Sequence, residues 1–266
     1  MRIRELIAWG AEFDREGSKL AFTQEAAHTK KRILHAQGDS TGHEIMRVLI
    51  DKVRSTGRVR KIDFTFTKDL IVEGGRCAGA VVIQQAERKA LAISSRAVVL
   101  ATGGAGRLYE RTTNPPVATG DGAAMAFRAG AALMDMEFVQ FHPTALYLRD
   151  APQLLLSEAM RGEGGMLRNV QGHRFMDSYH PARELAPRDV VTRAIHTEMA
   201  ATGSDHVYLD MTHLNAAYIM KRFPRIYTTC KGLGIDITAA PIPVSPAAHY
   251  IMGGVKTGLW GATTIP

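Results

Sequence analysis

Residues 98 to 109 read VVLATGGAGRLY, and the fold turns on how this stretch is placed. Residues 97 to 100 form a continuous apolar run without polar alternation, which is the pattern of a strand buried on both faces, as in a parallel sheet. The run meets Thr102, Gly103 and Gly104. In open α/β sheets ligands bind outside the carboxyl ends of strands, where glycine lets a backbone approach a nucleotide closely. The same residues describe a tight strand-to-loop turn equally well. They are no dinucleotide fingerprint, because in GAGRLY the sixth position is Tyr109, where G-x-G-x-x-G/A requires a small residue.

Upstream, DFTFTKDLIVEGG, RCAGAVVIQQAE and KALAISSRAVVLATGG are short β-rich pieces with Gly74-Gly75 as a turn, which predicts a small antiparallel meander leading into the apolar run. Before it, STGHEIMRVLIDKVRSTG places Ile45, Val48, Leu49 and Val53 on one helical face, with Thr41 and Glu44 spaced as a capping box. Ile3, Leu6, Ile7 and Phe13 recur at helical spacing, so the chain begins inside a helix. Downstream, TTNPPVATGDGAAMAFRAGAAL predicts a Pro-rich loop, a turn and an Ala-rich helix whose cap is Asp121. In ELAPRDVVTRAIHTEMAA, Pro187 stands near the start of a helix. Arg188 then falls in the first turn, where a cation opposes the macrodipole unless an anion offsets it.

Composition sets outer limits. The 266 residues, 45% hydrophobic, can bury one large core or two moderate ones. The net charge of +7 comes from scattered residues, and the one dense cluster, Lys30, Lys31 and Arg32, lacks aromatic interleaving, so anionic small ligands are expected rather than nucleic acid. Cys77 and Cys230 stand apart without a CxxC pattern, which argues against zinc or a disulfide framework and suits a reducing cytoplasm. No apolar run reaches the roughly 18 residues of a membrane span.

Residues 138 to 164 read FVQFHPTALYLRDAPQLLLSEAMRGEG, an apolar segment with hydrogen-bonding groups at both ends. A strand, a loop and a helix with polar ends would satisfy it; so would a binding site. His28, His142 and His249 each lie beside small or apolar residues in turn-like segments. With Arg161 and Arg188 they make a plausible anion-binding set, since imidazoles and guanidinium forks donate to carboxylate oxygens. Two such clusters suit a dicarboxylate, with Glu25, Glu158 and Glu163 orienting the cations. G-x-S-x-G, P-loop and HExxH sequences are absent, which sets hydrolase and metalloenzyme readings aside.

Seven motifs, FTQEAAHTKKRILHAQGDSTG, VVLATGGAGRLY, TTNPPVATGDGAAMAFRAGA, FVQFHPTAL, LLLSEAMRGEGG, ELAPRDVV and PAAHYIMGGV, occur in the order found in the succinate dehydrogenase/fumarate reductase flavoprotein family, which the whole chain resembles. TQEAAHTKKRILHA and LAPRDVV are most similar to its aspartate-oxidising branch. The resemblance implies an α/β plus α+β fold: part of a Rossmann-like FAD-binding domain with an inserted capping domain. It divides the chain into residues 1–135, partial FAD-binding domain with the meander; 136–250, capping and substrate domain; and 251–266, a return to the FAD-binding domain.

The implied activity is FAD-dependent oxidation of L-aspartate to iminoaspartate with oxygen or fumarate as acceptor, opening NAD biosynthesis in the cytoplasm with quinolinate synthase as pathway partner. The alternative is a fumarate reductase or succinate dehydrogenase flavoprotein subunit. By motif, His142, Ser157, Glu158, Arg188 and His249 would bind carboxylates, and Glu25 would orient the substrate amino group. Arg188 is the residue to which the family's proton transfer is ascribed. Thr102, Gly103, Gly104 and Asp121 would contact the flavin. Ser157 stands where the family usually has Thr, and Ala26 and Ala27 where it often has glycines. The family's first strand and glycine turn would precede Met1, and a further substrate arginine would follow Pro266. The chain alone is therefore expected to bind FAD weakly or not at all, to be inactive and to be prone to aggregation.

Overall fold

The computed structural model describes residues 2–23, 29–149, 151 and 154–266. In chain order the first elements are α1 (Arg2–Ala8), β1 (Arg15–Glu16), β2 (Lys19–Leu20), β3 (Phe22–Thr23), β4 (Ile33–Leu34), α2 (Thr41–Thr56), β5 (Thr65–Glu73), β6 (Arg76–Gln84) and β7 (Lys89–Ser94). There follow α3 (Asp121–Arg128), β8 (Leu133–Met134), β9 (Val139–Leu146), α4 (Glu158–Gly162), β10 (Met166–Arg168) and α5 (Arg188–Thr202). The last are β11 (Val207–Asp210), α6 (Ala216–Arg222), α7 (Pro224–Gly232), β12 (Ile242–Ile251) and β13 (Gly254–Val255). Two compact units result, residues 1–60 with 142–246 and residues 61–141 with 247–266. Residues 142–246 thus interrupt the sequence of the second unit, as an inserted domain does.

The first unit holds the larger core. Val191, Ala194 and Ile195 of α5 are wholly buried together with Leu167 of β10, Val207 and Leu209 of β11, and Ile219, Phe223 and Cys230 of the α6–α7 pair. Burial pushes the Cys230 thiol up to about 11, so it is an inert apolar filler. The N-terminal residues add a second, small core of Ala11, Phe13, Ala36 and Val48. They are fastened to α7 by charge. Pro224 opens that helix and needs no donor partner, and the Asp39 carboxylate accepts from the next two amides, Arg225 N at 3.3 Å and Ile226 N at 2.9 Å. Arg222 Nη1 donates to Gly38 O at 3.0 Å. Gly38 adopts φ +75°, and a Cβ there would stand 2.9 Å from Pro224 Cδ.

The helix predicted from STGHEIMRVLIDKVRSTG is α2, but the expected capping box does not form. Thr41 is already helical and its Oγ1 accepts from Ala36 N at 3.2 Å. Glu44 turns its buried carboxylate to stronger donors, Glu12 N at 2.8 Å and Arg47 Nε and Nη2 at 2.9 and 2.7 Å. A charge-assisted pair one turn along outcompetes the reciprocal cap.

The second unit contains the meander as read: β5, β6 and β7 pair antiparallel in that order, with Glu73 opposite Arg76 across Gly74 and Gly75. Both turn glycines have positive φ, 56° and 78°, as a two-residue hairpin demands. α3 is held to β5 by Arg128 Nε on Asp69 Oδ1 at 2.7 Å. β8 and β13 pair antiparallel.

The doubly buried strand expected at residues 97 to 100 is not there. The meander ladder ends with Ser95 N on Ala78 O at 2.8 Å, and Val99 is 88% exposed. An apolar run becomes a strand only where another strand supplies its ladder, and none of the described strands pairs with these residues. They line a cavity instead.

Glu44 sits in the folded state at about 2, below its ordinary 4.5, chiefly through Arg47 and then through Glu12 N. A depressed carboxylate stabilises the fold fully above its unfolded value and loses that contribution as pH falls through the folded one. Glu44→Gln should therefore be less stable than the parent at neutral pH, with the gap closing between 4.5 and about 2, as read by urea unfolding across that range.

Candidate functional site

In the first unit the polar ends of residues 138 to 164 are brought to one place. Leu156 N donates to Thr144 O at 3.1 Å, and Thr144 Oγ1 donates to Leu156 O at 3.2 Å. His142, two residues before Thr144, and Ser157, one after Leu156, thus lie at the same end of the paired segment. His142 is buried, and its Nδ1 accepts from Thr144 N at 3.3 Å. Ser157 is the N-cap of α4, its Oγ accepting from Ala159 N at 3.2 Å.

Glu158 is the hub. Its Oε2 accepts from Arg188 Nε at 2.8 Å and Nη2 at 2.5 Å, and its Oε1 accepts from Arg161 Nη2 at 3.2 Å. The anion that a cation in the first turn of α5 called for is therefore the protein's own. Arg161, expected at a ligand carboxylate, is wholly enclosed and serves Glu158 and the carbonyl of Glu184, at 2.6 Å. Burial pushes its guanidinium below the usual value, opposed by Glu158. Arg188 keeps about a quarter of its side chain accessible, 26%, so it is the guanidinium of this pair that can meet a ligand.

Glu184 was not singled out in the sequence. Its carboxylate accepts from Leu167 N at 3.0 Å and from Arg174 at 2.9 and 2.6 Å. Burial pushes it up, but Arg174 and the Leu167 amide outweigh that and hold it below the ordinary carboxylate range. Glu163 lies apart, bonded to Arg222 Nε at 3.0 Å and the Tyr218 hydroxyl at 2.7 Å. Glu25 and His28 lie outside the described residues.

In the second unit a cavity of about 690 Å³ is lined by residues 96 to 105, Gly120, Gly122, Ala123, Ala126, Gly253 and Gly254 among others; of the groups expected at the flavin, Asp121 is outside this lining. Thr102, Gly103 and Gly104 form part of this lining as exposed loop. Asp121 does not cap α3: Gly120 holds that position at φ +82°, Asp121 is the first helical residue, and Thr119 Oγ1 donates to its carboxylate at 2.6 Å. The adjacent hydroxyl is a nearer donor than the amides of its own turn. Small residues are obligatory here, since a Cβ on Gly122 would lie 1.8 Å from Thr102 Oγ1. His249 Nδ1 is 2.7 Å from Thr113 Oγ1, and Asn114 Nδ2 donates to His249 O at 2.6 Å.

A cavity of this size with a stretch of glycine and small residues in its wall fits a dinucleotide, and the arginine–glutamate cluster suits an anion at Arg188. Such a cavity is the pattern of a dinucleotide-binding fold. The chain belongs to the FAD binding domain family, whose model matches residues 1–266. FAD is the cofactor of this fold, which is α/β plus α+β, part of a Rossmann-like FAD-binding domain with an inserted capping domain.

The chain is 48% identical to an L-aspartate oxidase of Streptomyces coelicolor over 273 residues, covering 99% of this chain and 47% of that protein. It is likewise 48% identical to an L-aspartate oxidase of Nostoc over 270 residues, covering 99% of this chain and 46% of the relative. A solved FrdA chain of E. coli quinol fumarate reductase superposes with a TM-score of 0.91 at 34% identity, covering 99% of this chain and 48% of that one. The chain thus spans about half the length of the relatives it matches.

Gly122→Ala should force Thr102 away and deform the cavity wall. The expected cost is about 1–3 kcal/mol of stability from overpacking, together with weaker retention of added FAD. Urea unfolding and flavin absorbance after gel filtration read the two effects.

Proposed function

We propose that the protein is an FAD-dependent L-aspartate oxidase, converting L-aspartate to iminoaspartate with oxygen or fumarate as acceptor at the start of NAD biosynthesis. The observation that carries the reading is 48% identity, across 99% of the chain, to L-aspartate oxidases. Its setting is the cytoplasm, with quinolinate synthase as the pathway partner. Among the described residues no helix is long and apolar enough to cross a membrane.

Oxidising an amino acid requires the Cα hydrogen to be aimed at the acceptor, and a clamp on two carboxylates provides the aim. In this reading residues 136–250 are the capping domain, and His142, Ser157, Glu158, Arg188 and His249 hold the dicarboxylate. The Ser157 hydroxyl and the His142 imidazole are the groups at the start of α4 and on β9 that this reading turns to a carboxylate. Arg188 meets negative charge electrostatically through its guanidinium fork, with proton transfer ascribed to it on the family's pattern. Glu158 steers the Arg188 fork and neutralises part of its charge. Thr102, Gly103, Gly104 and Asp121 face FAD, which supplies the two-electron acceptor when bound.

Purified full-length protein supplied with FAD should release peroxide from L-aspartate in air and turn over succinate far more slowly with an artificial acceptor. The similarity to fumarate reductase favours a second reading, a fumarate reductase or succinate dehydrogenase subunit. Succinate turnover without aspartate turnover would establish that one and reject ours.

Glu25 is proposed to pair with the substrate ammonium, a group that fumarate lacks. Glu25→Gln should then reduce aspartate oxidation more than fumarate reduction. Equal losses in the two assays would remove this role.

A further inference from the structure

We infer that Glu184, paired with Arg174, is the positioning residue that sets the Arg188 guanidinium; the inference deepens the reading of the dicarboxylate site and rests on it. The contacts form a closed circuit. Arg188 grips Glu158 Oε2, Arg161 grips Glu158 Oε1, and Arg161 Nη1 ends on the carbonyl of Glu184 at 2.6 Å. The backbone through Leu185, Ala186 and Pro187, from Glu184 to Arg188, then closes the ring. Movement of the Glu184 carbonyl is therefore passed to Arg188 along two routes, the peptide chain and the buried charges.

What stops that carbonyl from moving is the Glu184 side chain. It is nearly enclosed, at 4% exposure, and takes Leu167 N of β10 together with the Nε–Nη2 edge of the Arg174 guanidinium. The turn it anchors needs an anchor. Arg183, the preceding residue, has φ +54°, in the left-handed region that a side chain disfavours. The turn's own bonds are only short-range, Leu185 N on Ala182 O at 3.0 Å and Ala186 N on Arg183 O at 3.1 Å. A strained turn persists where its surroundings over-determine it, and here the surroundings are the bidentate Glu184–Arg174 pair. Neither residue reaches a ligand through any of these contacts, so their role is positioning.

Glu184→Gln keeps the shape and an acceptor for Leu167 N but loses the charge that grips Arg174. For aspartate oxidation kcat should fall about ten- to a hundredfold, since a small misplacement of an oriented group costs that much, while KM stays within about threefold because ground-state binding is spread over other groups. Arg174→Gln should do the same, and the double variant no worse than either single one, because both remove one anchor. Should Glu184→Gln not fold, Arg174→Gln carries the test.

A readout independent of turnover is the ¹⁵N-arginine NMR signal of the Arg188 Nε–H, assigned by its loss in Arg188→Lys. It should shift and exchange faster with water in Glu184→Gln, while the Arg222 signal stays in place. A folded variant that keeps both the parental Arg188 signal and the parental kcat per folded molecule overturns the inference. If the parent protein oxidises no aspartate, the proposed activity fails on that result alone, and the NMR comparison still decides whether Glu184 sets Arg188.

Discussion

One carboxylate shared between two guanidiniums organises the first unit. Glu158 is almost enclosed, and enclosing one charge among partners of the opposite sign is tolerable only if every charge is met. Arg161 is more deeply buried still, so it cannot give up Glu158, and Arg188 must then share what remains. The geometry of α4, the turn before α5 and the start of α5 follow from that sharing. Losing one member would strand the others in a medium of low polarity, where removing a partner of a buried pair costs about 3–5 kcal/mol. The arrangement holds Arg188 still for the same reason that it holds the fold.

Much of this was legible in the sequence, for identifiable reasons. The helix at α2, the meander at β5 to β7 and the start of α5 at Pro187 were readable because periodicity, turn glycines and proline act over a few residues. The polar groups around residues 138 to 164 were readable as a cluster because they flank one apolar run. What failed were inferences about partners. Glu44 and Asp121 look like caps from spacing, yet Glu44 takes a charged side chain one turn along its own helix and Asp121 takes the hydroxyl of Thr119, just before its helix. Residues 97 to 100 look like a strand, yet pairing is a property of two segments and cannot be written in one. Glu184 left no local trace, since its partners Arg174 and Leu167 lie 10 and 17 residues away. Arg188 was the informative exception. A cation misplaced against a helix dipole advertises an anion, and only the anion's identity had to wait for Glu158.

The second unit solves a different problem by the opposite means. Around its cavity the constraint is missing side chains: Gly122 admits Thr102, Gly106 admits Asn114 and Thr112, and Gly253 passes within 2.3 Å of the Asp135 backbone at the position its Cβ would take. Backbone donors must stay open for a cofactor, and open backbone cannot also be shielded from water. The charge cluster needs the reverse, an enclosed setting in which each ion is held by several bonds and electrostatic attraction is strong. No single short segment can be both glycine-lined and open, and densely packed around buried ions. The chain meets both demands by separating them in sequence, with the small-residue loop and its helix between residues 97 and 128 and the ion cluster between residues 142 and 188. That the second set lies within an inserted stretch, 142–246, is a direct outcome. An insertion can build its own core, and a buried network of arginines and glutamates is stable only when such a core surrounds it.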